Sequence, residues 1–112
     1  MTDRGTHIEV VIGPAVLCGP GFIATVIDAL GRFGAKPLLV VCDAPAEKVE
    51  FVQAYDNGLK LASIVRGRVA IVLGGREPTD ADRLTDLVAA NRGTNVRSFP
   101  DLRAAKAWLA VD

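Results

Sequence analysis

Three stretches of this chain bring together residue types that do chemistry. Asp43 follows the apolar run 37–42, where a carboxylate at the end of a buried strand is placed to position a ligand or a partner loop; the competing role is a turn former bonding its own backbone. Gly74-Gly75-Arg76 combines backbone N–H groups with a guanidinium, the parts of an anion cradle. Glu77, Asp80 and Asp82 crowd the same region, where they would repel a phosphate but suit the positive end of a helix. The third stretch, Asp56-Asn57-Gly58-Leu59, sits among apolar residues that otherwise keep helical spacing, and reads either as a turn or as a helix that tolerates three poor helix formers. Asp43 and Asp56 would work as an acid/base pair only if the fold joined them, and no sequence spacing fixes that distance.

Other reactive groups are isolated. Cys18 precedes Gly19-Pro20-Gly21, where a helix start would lower its pKa, but no activating base stands beside it in sequence. Neither Cys18 nor Cys42 has CxxC or His–Cys spacing, so both are expected as free thiols in apolar surroundings. His7 is the one histidine, which speaks against a metal site. Ser63 and Ser98 lack a Gly-x-Ser-x-Gly context and a histidine to serve them, so a hydrolase triad is not supported. Gly19-Pro20-Gly21 is not the Gly-x-Gly-x-x-Gly pattern that dinucleotides need. No cofactor is expected. Thirteen basic side chains balance thirteen acidic ones, which removes the electrostatic term that drives nucleic-acid binding. Lys60, Arg66 and Arg68 then read as a solvated basic corner, with an anionic partner surface as the sharper alternative.

The elements that must position these residues follow from period. With 112 residues the chain suits one domain, 1–112, with residues 1–6 as an N-terminal tail. Half its residues are hydrophobic but only 5% aromatic, so the core must be aliphatic. The start lacks signal-peptide order, and the apolar stretch 15–30 is broken by Gly19-Pro20-Gly21 and carries Asp28, so the expectation is a cytosolic chain without a membrane span. Strands are expected at 7–12, 37–42, 68–73 and 95–99, with 15–18 either extending the first strand past a bulge or pairing with it. Helices are expected from Phe22 to Phe33, from Ala46 to about Arg66, from Asp80 to Asn91 and over 100–110. Thr79 with Asp82 three residues on marks a capping box. In the second helix Val49, Val52, Tyr55 or Asp56, Leu59, Ala62 and Val65 keep phase, and Asn57 with Gly58 costs only about 1.5 kcal/mol against alanine. A continuous or slightly kinked helix is therefore favoured there. The alternation implies an α/β fold: a small mixed, mostly parallel sheet of four to five strands flanked by four helices.

The order "LLVVCD", a helix with "DNGLK", "RVAIVL" and "NVRSFPDLRAAKAWL" resembles the STAS-type domains, and among them the SpoIIAA-like group named after the sporulation anti-sigma factor antagonist. The likeness spans residues 21 to 110, and "GPAVLCGPGF" departs from it in its Gly and Pro content. It implies a non-enzymatic regulatory or protein-interaction domain whose partner is of the anti-sigma factor or kinase type. The contacts would be Asp43 and the helix around Asp56, Asn57, Gly58 and Leu59. Family members present a phosphorylatable serine in Asp-Ser-Ser-Gly-Leu; the matching string here is Tyr55-Asp56-Asn57-Gly58-Leu59, without a hydroxyl, so no phosphoswitch is expected. The group also resembles the lipid-binding Sec14 type in layout, so the alternative is a carrier or sensor of a small apolar ligand. Phe51, Tyr55, Leu59 and Trp108 would then line a pocket between helices and sheet, where ordinary core packing is the competing role. An apolar helix face would also suit homodimerisation.

Overall fold

The segments expected as strands at 7–12, 37–42, 68–73 and 95–99 are strands in the computed structural model, which describes residues 1–111. The described elements are β1 (Thr2–Asp3), β2 (Ile8–Ile12), α1 (Gly21–Phe33), β3 (Leu38–Cys42), α2 (Phe51–Ile64), β4 (Arg68–Val72), α3 (Asp80–Asn91), β5 (Asn95–Phe99) and α4 (Leu102–Leu109). The sheet runs β1-β2-β3-β4-β5; β1 is antiparallel to β2 and the remaining neighbours are parallel. The fold is thus α/β with a mostly parallel mixed sheet and four helices, as the alternation requires. Every parallel strand is laid down beside the one before it and in the same direction, so right-handed crossovers put α1, α2 and α3 on one face. Ile8, Val10, Leu38, Val40, Val69 and Ile71 form the sheet side of that core, against Phe22, Val26 and Leu61. The last helix, α4, has no further strand to reach and turns under the other face, burying Leu39, Ala70 and Val72 beneath Ala105 and Leu109.

Two expectations for the N-terminal region need correction. Residues 1–6 are not a loose tail: Thr2 pairs with Glu9 and Asp3 with Ile8. Side chains fasten this short strand, with Lys36 Nζ 2.8 Å from Asp3 Oδ2 and Arg4 Nη2 2.8 Å from Glu9 Oε2. Lys36 and the Gly5 N–H together hold the Asp3 carboxyl below its ordinary pKa. Residues 15–18 neither extend β2 nor pair with it. They lie in successive turns, closed by the Val16 N–H on Gly13 O and the Gly19 N–H on Val16 O.

α2 starts at Phe51 rather than at Ala46: Glu50 before it is extended, at φ −71° and ψ 152°, and the Ala46 N–H on Leu73 O and the Glu47 N–H on Pro14 O tie the incoming segment to neighbouring loops. Once started it is continuous through Asp56-Asn57-Gly58. Asn57 and Gly58 have tertiary roles that outweigh their propensity, and Asp56 has a local one. Asp56 pairs with Lys60 at 2.9 Å on the surface. Asn57 is buried, donating to Leu17 O at 3.1 Å and accepting from Gln53 Nε2 at 2.9 Å. Gly58 lets α3 approach, since a Cβ there would lie 2.9 Å from both Thr85 O and Val88 Cβ. Beside it Thr85 Oγ1 donates to Ala54 O at 2.9 Å. Among the described residues no helix is long and apolar enough to cross a membrane.

Candidate functional site

In a parallel sheet the crevice beyond the carboxyl ends of the strands is the usual place for a ligand. Here the loops that emerge there are tied to one another. The Asp43 N–H donates to Ile12 O, the Ala46 N–H to Leu73 O and the Gly75 N–H to Pro100 O, at 3.1, 3.0 and 2.7 Å. Gly74, with φ +69°, comes so close that any Cβ would overlap the Ala44 carbonyl. Arg76 is turned into this assembly. Its Nε donates to Ala46 O at 2.7 Å, and its guanidinium grips Asp82 through Nη1 at 2.7 Å and Nη2 at 3.3 Å. Asp82 also accepts from the Thr79 N–H at 2.7 Å and the Thr79 hydroxyl at 3.0 Å, completing the expected capping box. Burial pushes the Asp82 carboxyl up, but Arg76 and Thr79 together outweigh it and hold the group below its ordinary pKa. The guanidinium of the anion-cradle motif is therefore consumed by a buried carboxylate, and the cap role of Asp82 prevails.

The isolated nucleophiles are not activated. Burial pushes the Cys42 thiol up to about 11. Cys18 also lies above its ordinary value, through desolvation and then its contact with Glu47, and its Sγ is engaged with Ala15 O at 3.1 Å. The helix start after Gly19-Pro20-Gly21 thus fails to lower it. His7 is buried beside Thr6 Oγ1 at 2.9 Å, and desolvation is the main cause of its lowered pKa. No group of three metal-ligating side chains occurs among the described residues.

One half-buried carboxyl escaped the sequence reading. Asp86 on α3 accepts from the Ser98 N–H at 3.0 Å and the Ser98 hydroxyl at 3.2 Å. Burial pushes it up to about 6 against those hydrogen bonds. Its position in a helix with other acids carries no signal that distinguishes it; only the adjacency of α3 to β5 does.

The residues expected to line an apolar pocket do not meet. Phe51 and Tyr55 stand on the outer side of α2, 58% and 49% exposed. Trp108 lies under the opposite face of the sheet, 5.7 Å from the Phe99 ring and beneath the Arg68 guanidinium. One cavity between helices and sheet, lined by Leu17, Phe22, Asn57, Ile71 and Thr85, amounts to about 10 Å³. That volume is of the order of one water and admits no acyl chain.

Of the residues expected to meet a partner, Asn57 is buried against Leu17, Gly58 is buried against α3, Asp43 is exposed at the crevice rim, Asp56 is partly exposed beside Lys60, and Leu59 is half-buried. Their neighbours on the helix supply what the sequence reading missed. The buried side of α2 is Ala54, Asn57, Gly58 and Leu61, while Val52, assigned by phase to the apolar core face, is 84% exposed. Phe51, Val52 and Tyr55, with half-buried Leu59 one turn on, form an apolar stripe on the side of the helix away from buried Leu61. No protein-family model, no curated protein and no solved structure matches this chain.

Proposed function

We propose that the chain is a non-enzymatic protein-interaction domain of the STAS, anti-sigma factor antagonist type, and that α2 is its docking helix. The observation that carries this reading is the second apolar face of α2: besides the side buried through Ala54, Asn57, Gly58 and Leu61, the helix turns Phe51, Val52 and Tyr55 to solvent. Clustered apolar side chains in water are worth keeping where a partner covers them. Asp56 and Lys60 give the patch a charged rim, which sets orientation more than affinity. Burial of Asn57, with its amide committed to Leu17 O, supports docking that is not gated by phosphorylation at that position.

The test pairs the chain with anti-sigma factor and kinase-type proteins from the same genome and looks for co-elution. A complex with one of them, lost on Val52→Glu with Tyr55→Glu while the thermal unfolding curve stays in place, supports the reading. Absence of any complex, or a complex indifferent to the double substitution, removes it.

A further inference from the structure

The apolar stripe of α2 does not stop at that helix. Phe51 borders a hollow shared with Thr79 and Ala81 at the start of α3, and further along Gly58 lies against Val88, so the two helices run side by side beneath the stripe. Each joins neighbouring parallel strands, which gives them the same direction. On α3 the buried side includes Ala81, Thr85 and Ala89; Leu84 and Val88 fall half-buried on the side toward α2, and Leu87 points outward next to them, 58% exposed. The exposed parts of Phe51, Val52, Tyr55 and Leu87 together come to roughly 500 Å². With half-buried Leu59, Leu84 and Val88 and the charged rim, the face approaches the roughly 800 Å² that each partner gives to a stable interface. The α2 rim carries both signs: Asp56 and Lys60 stand one helical turn apart, 45% and 54% exposed, with 2.9 Å between their charged ends.

We propose that a second copy of this chain covers this two-helix face, in a two-fold dimer that runs each α2 antiparallel to its counterpart and each α3 likewise. A two-fold interface must complement itself, because whatever one copy presents the other presents too. The centre of this face does so by being apolar and aromatic, the composition of interface cores. Its rim does so through charge: an axis crossing α2 near Gly58 sets Asp56 over Lys60 of the second copy and Lys60 over its Asp56, so that two pairs between copies join the two within them. A rim of one sign would repel its own copy. The inference rests on the reading of the outer face of α2 as a surface that a protein covers, whichever protein that is. It adds regulation to that reading, since a second copy and a foreign partner exclude each other there and the concentration of the chain sets how much docking surface is free.

Sedimentation velocity of the full chain, from about 1 to about 500 µM, reads the proposal directly. The expected result is a shift from one copy to two with a midpoint of about 10 µM, the weak end for an interface of this area. Leu87→Arg lies on α3, outside the residues that test partner capture, and should raise the midpoint at least about tenfold while the thermal unfolding curve of the dilute chain stays in place. Asp56→Lys sets like charges across the axis and should raise it about fivefold; Asp56→Lys with Lys60→Asp restores opposite charges and should return it to the parent value. One copy at every concentration, a dimer indifferent to Leu87→Arg, or a swapped pair no better than Asp56→Lys alone would each overturn the proposal. A chain that stays single while an anti-sigma factor or kinase-type protein is still captured through Val52 and Tyr55 removes the dimer and keeps the docking reading. A dimer that behaves as described, with no such protein captured, removes that partner and keeps the dimer.

Discussion

The crevice at the strand ends and the outer face of α2 look opposite in sequence and in structure. The crevice has the residues that suggest chemistry, Asp43, Gly74-Gly75-Arg76 and Asp82, yet its groups are largely spent on each other. The Arg76–Asp82 pair is 13% and 4% exposed and meets Ala46, Glu77 and Thr79 on its remaining sides. α2 has side chains with no reactivity at all, yet they are left without partners. A reactive residue type locates a site only when its bonding capacity is unspent; an inert one locates a site when its burial is.

The largest test of that contrast is Gly74→Ala. The position needs a positive φ, and the new Cβ would meet the backbone carbonyl of Ala44 rather than a side chain that can swing away. The expected cost is about 4 kcal/mol or more, because backbone overlap and left-handed strain add at one residue. Urea unfolding monitored by circular dichroism measures it. A Gly74→Ala variant as stable as the parent would mean that the crevice loops are free to part, and the contrast with α2 would collapse. Asp82→Ala comes next, at about 3 kcal/mol, since it leaves a buried guanidinium without its anion. If the loss is much smaller, Arg76 has found water and is available to an anion after all, which inorganic phosphate titration would then detect.

Much of the fold was legible from sequence, and the places where it was not have a common cause. α3 matches its expected bounds because the Thr79–Asp82 box is a local signal, and β5 matches its own although Val96 is its one β-branched residue. β1 was missed because two residues carry no period; its ladder with β2 and the Asp3–Lys36 and Arg4–Glu9 pairs hold it. The orientation of α2 is the instructive failure. Period locates an apolar stripe but not which side of the helix the sheet lies on. Asn57 and Gly58 look like interruptions of the stripe, whereas they are the contact face, one reaching Leu17 and the other admitting Val88. A glycine and an amide in a helix interior are then signs of close approach and of a buried tether, and should turn the assignment of faces around.

Two carboxyls on α3, Asp82 buried and Asp86 half-buried, sharpen the comparison through pH. Asp82 is held low by Arg76 and Thr79, so its contribution is present above about pH 4 and disappears as pH falls. Asp86 has no arginine in hydrogen-bond contact and is pushed up to about 6 from 3.8, so the folded state binds its proton more tightly than the unfolded chain does. Its contribution is complete below about pH 4 and is lost as pH rises to about 6, by roughly 2 kcal/mol for a shift of this size at a group not fully enclosed. Asp86→Asn keeps an acceptor for the Ser98 N–H and removes the titration. The expected outcome is a variant whose unfolding free energy is flatter between pH 4 and 6 and higher at pH 7 than the parent's. An unchanged slope across that range would assign the pH dependence elsewhere.

The smallest expected effect on stability is on α2, and its smallness is the point. Val52 is 84% exposed, so Val52→Ser removes almost no buried area and replaces a β-branched residue by one of similar helix propensity. Its unfolding free energy should move by no more than about 0.5 kcal/mol. Phe51→Ser and Tyr55→Ser remove somewhat more, since about half of each side chain touches the protein, and should still stay near 1 kcal/mol. A surface kept for docking separates the two readouts: these substitutions should leave the folded state almost untouched while weakening partner capture by far more than they weaken folding. If instead Val52→Ser costs as much stability as an interior truncation, the helix packs in solution with its apolar stripe inward. The residues that face the sheet would then be the ones that phase alone selects, and the patch on which docking depends would not exist.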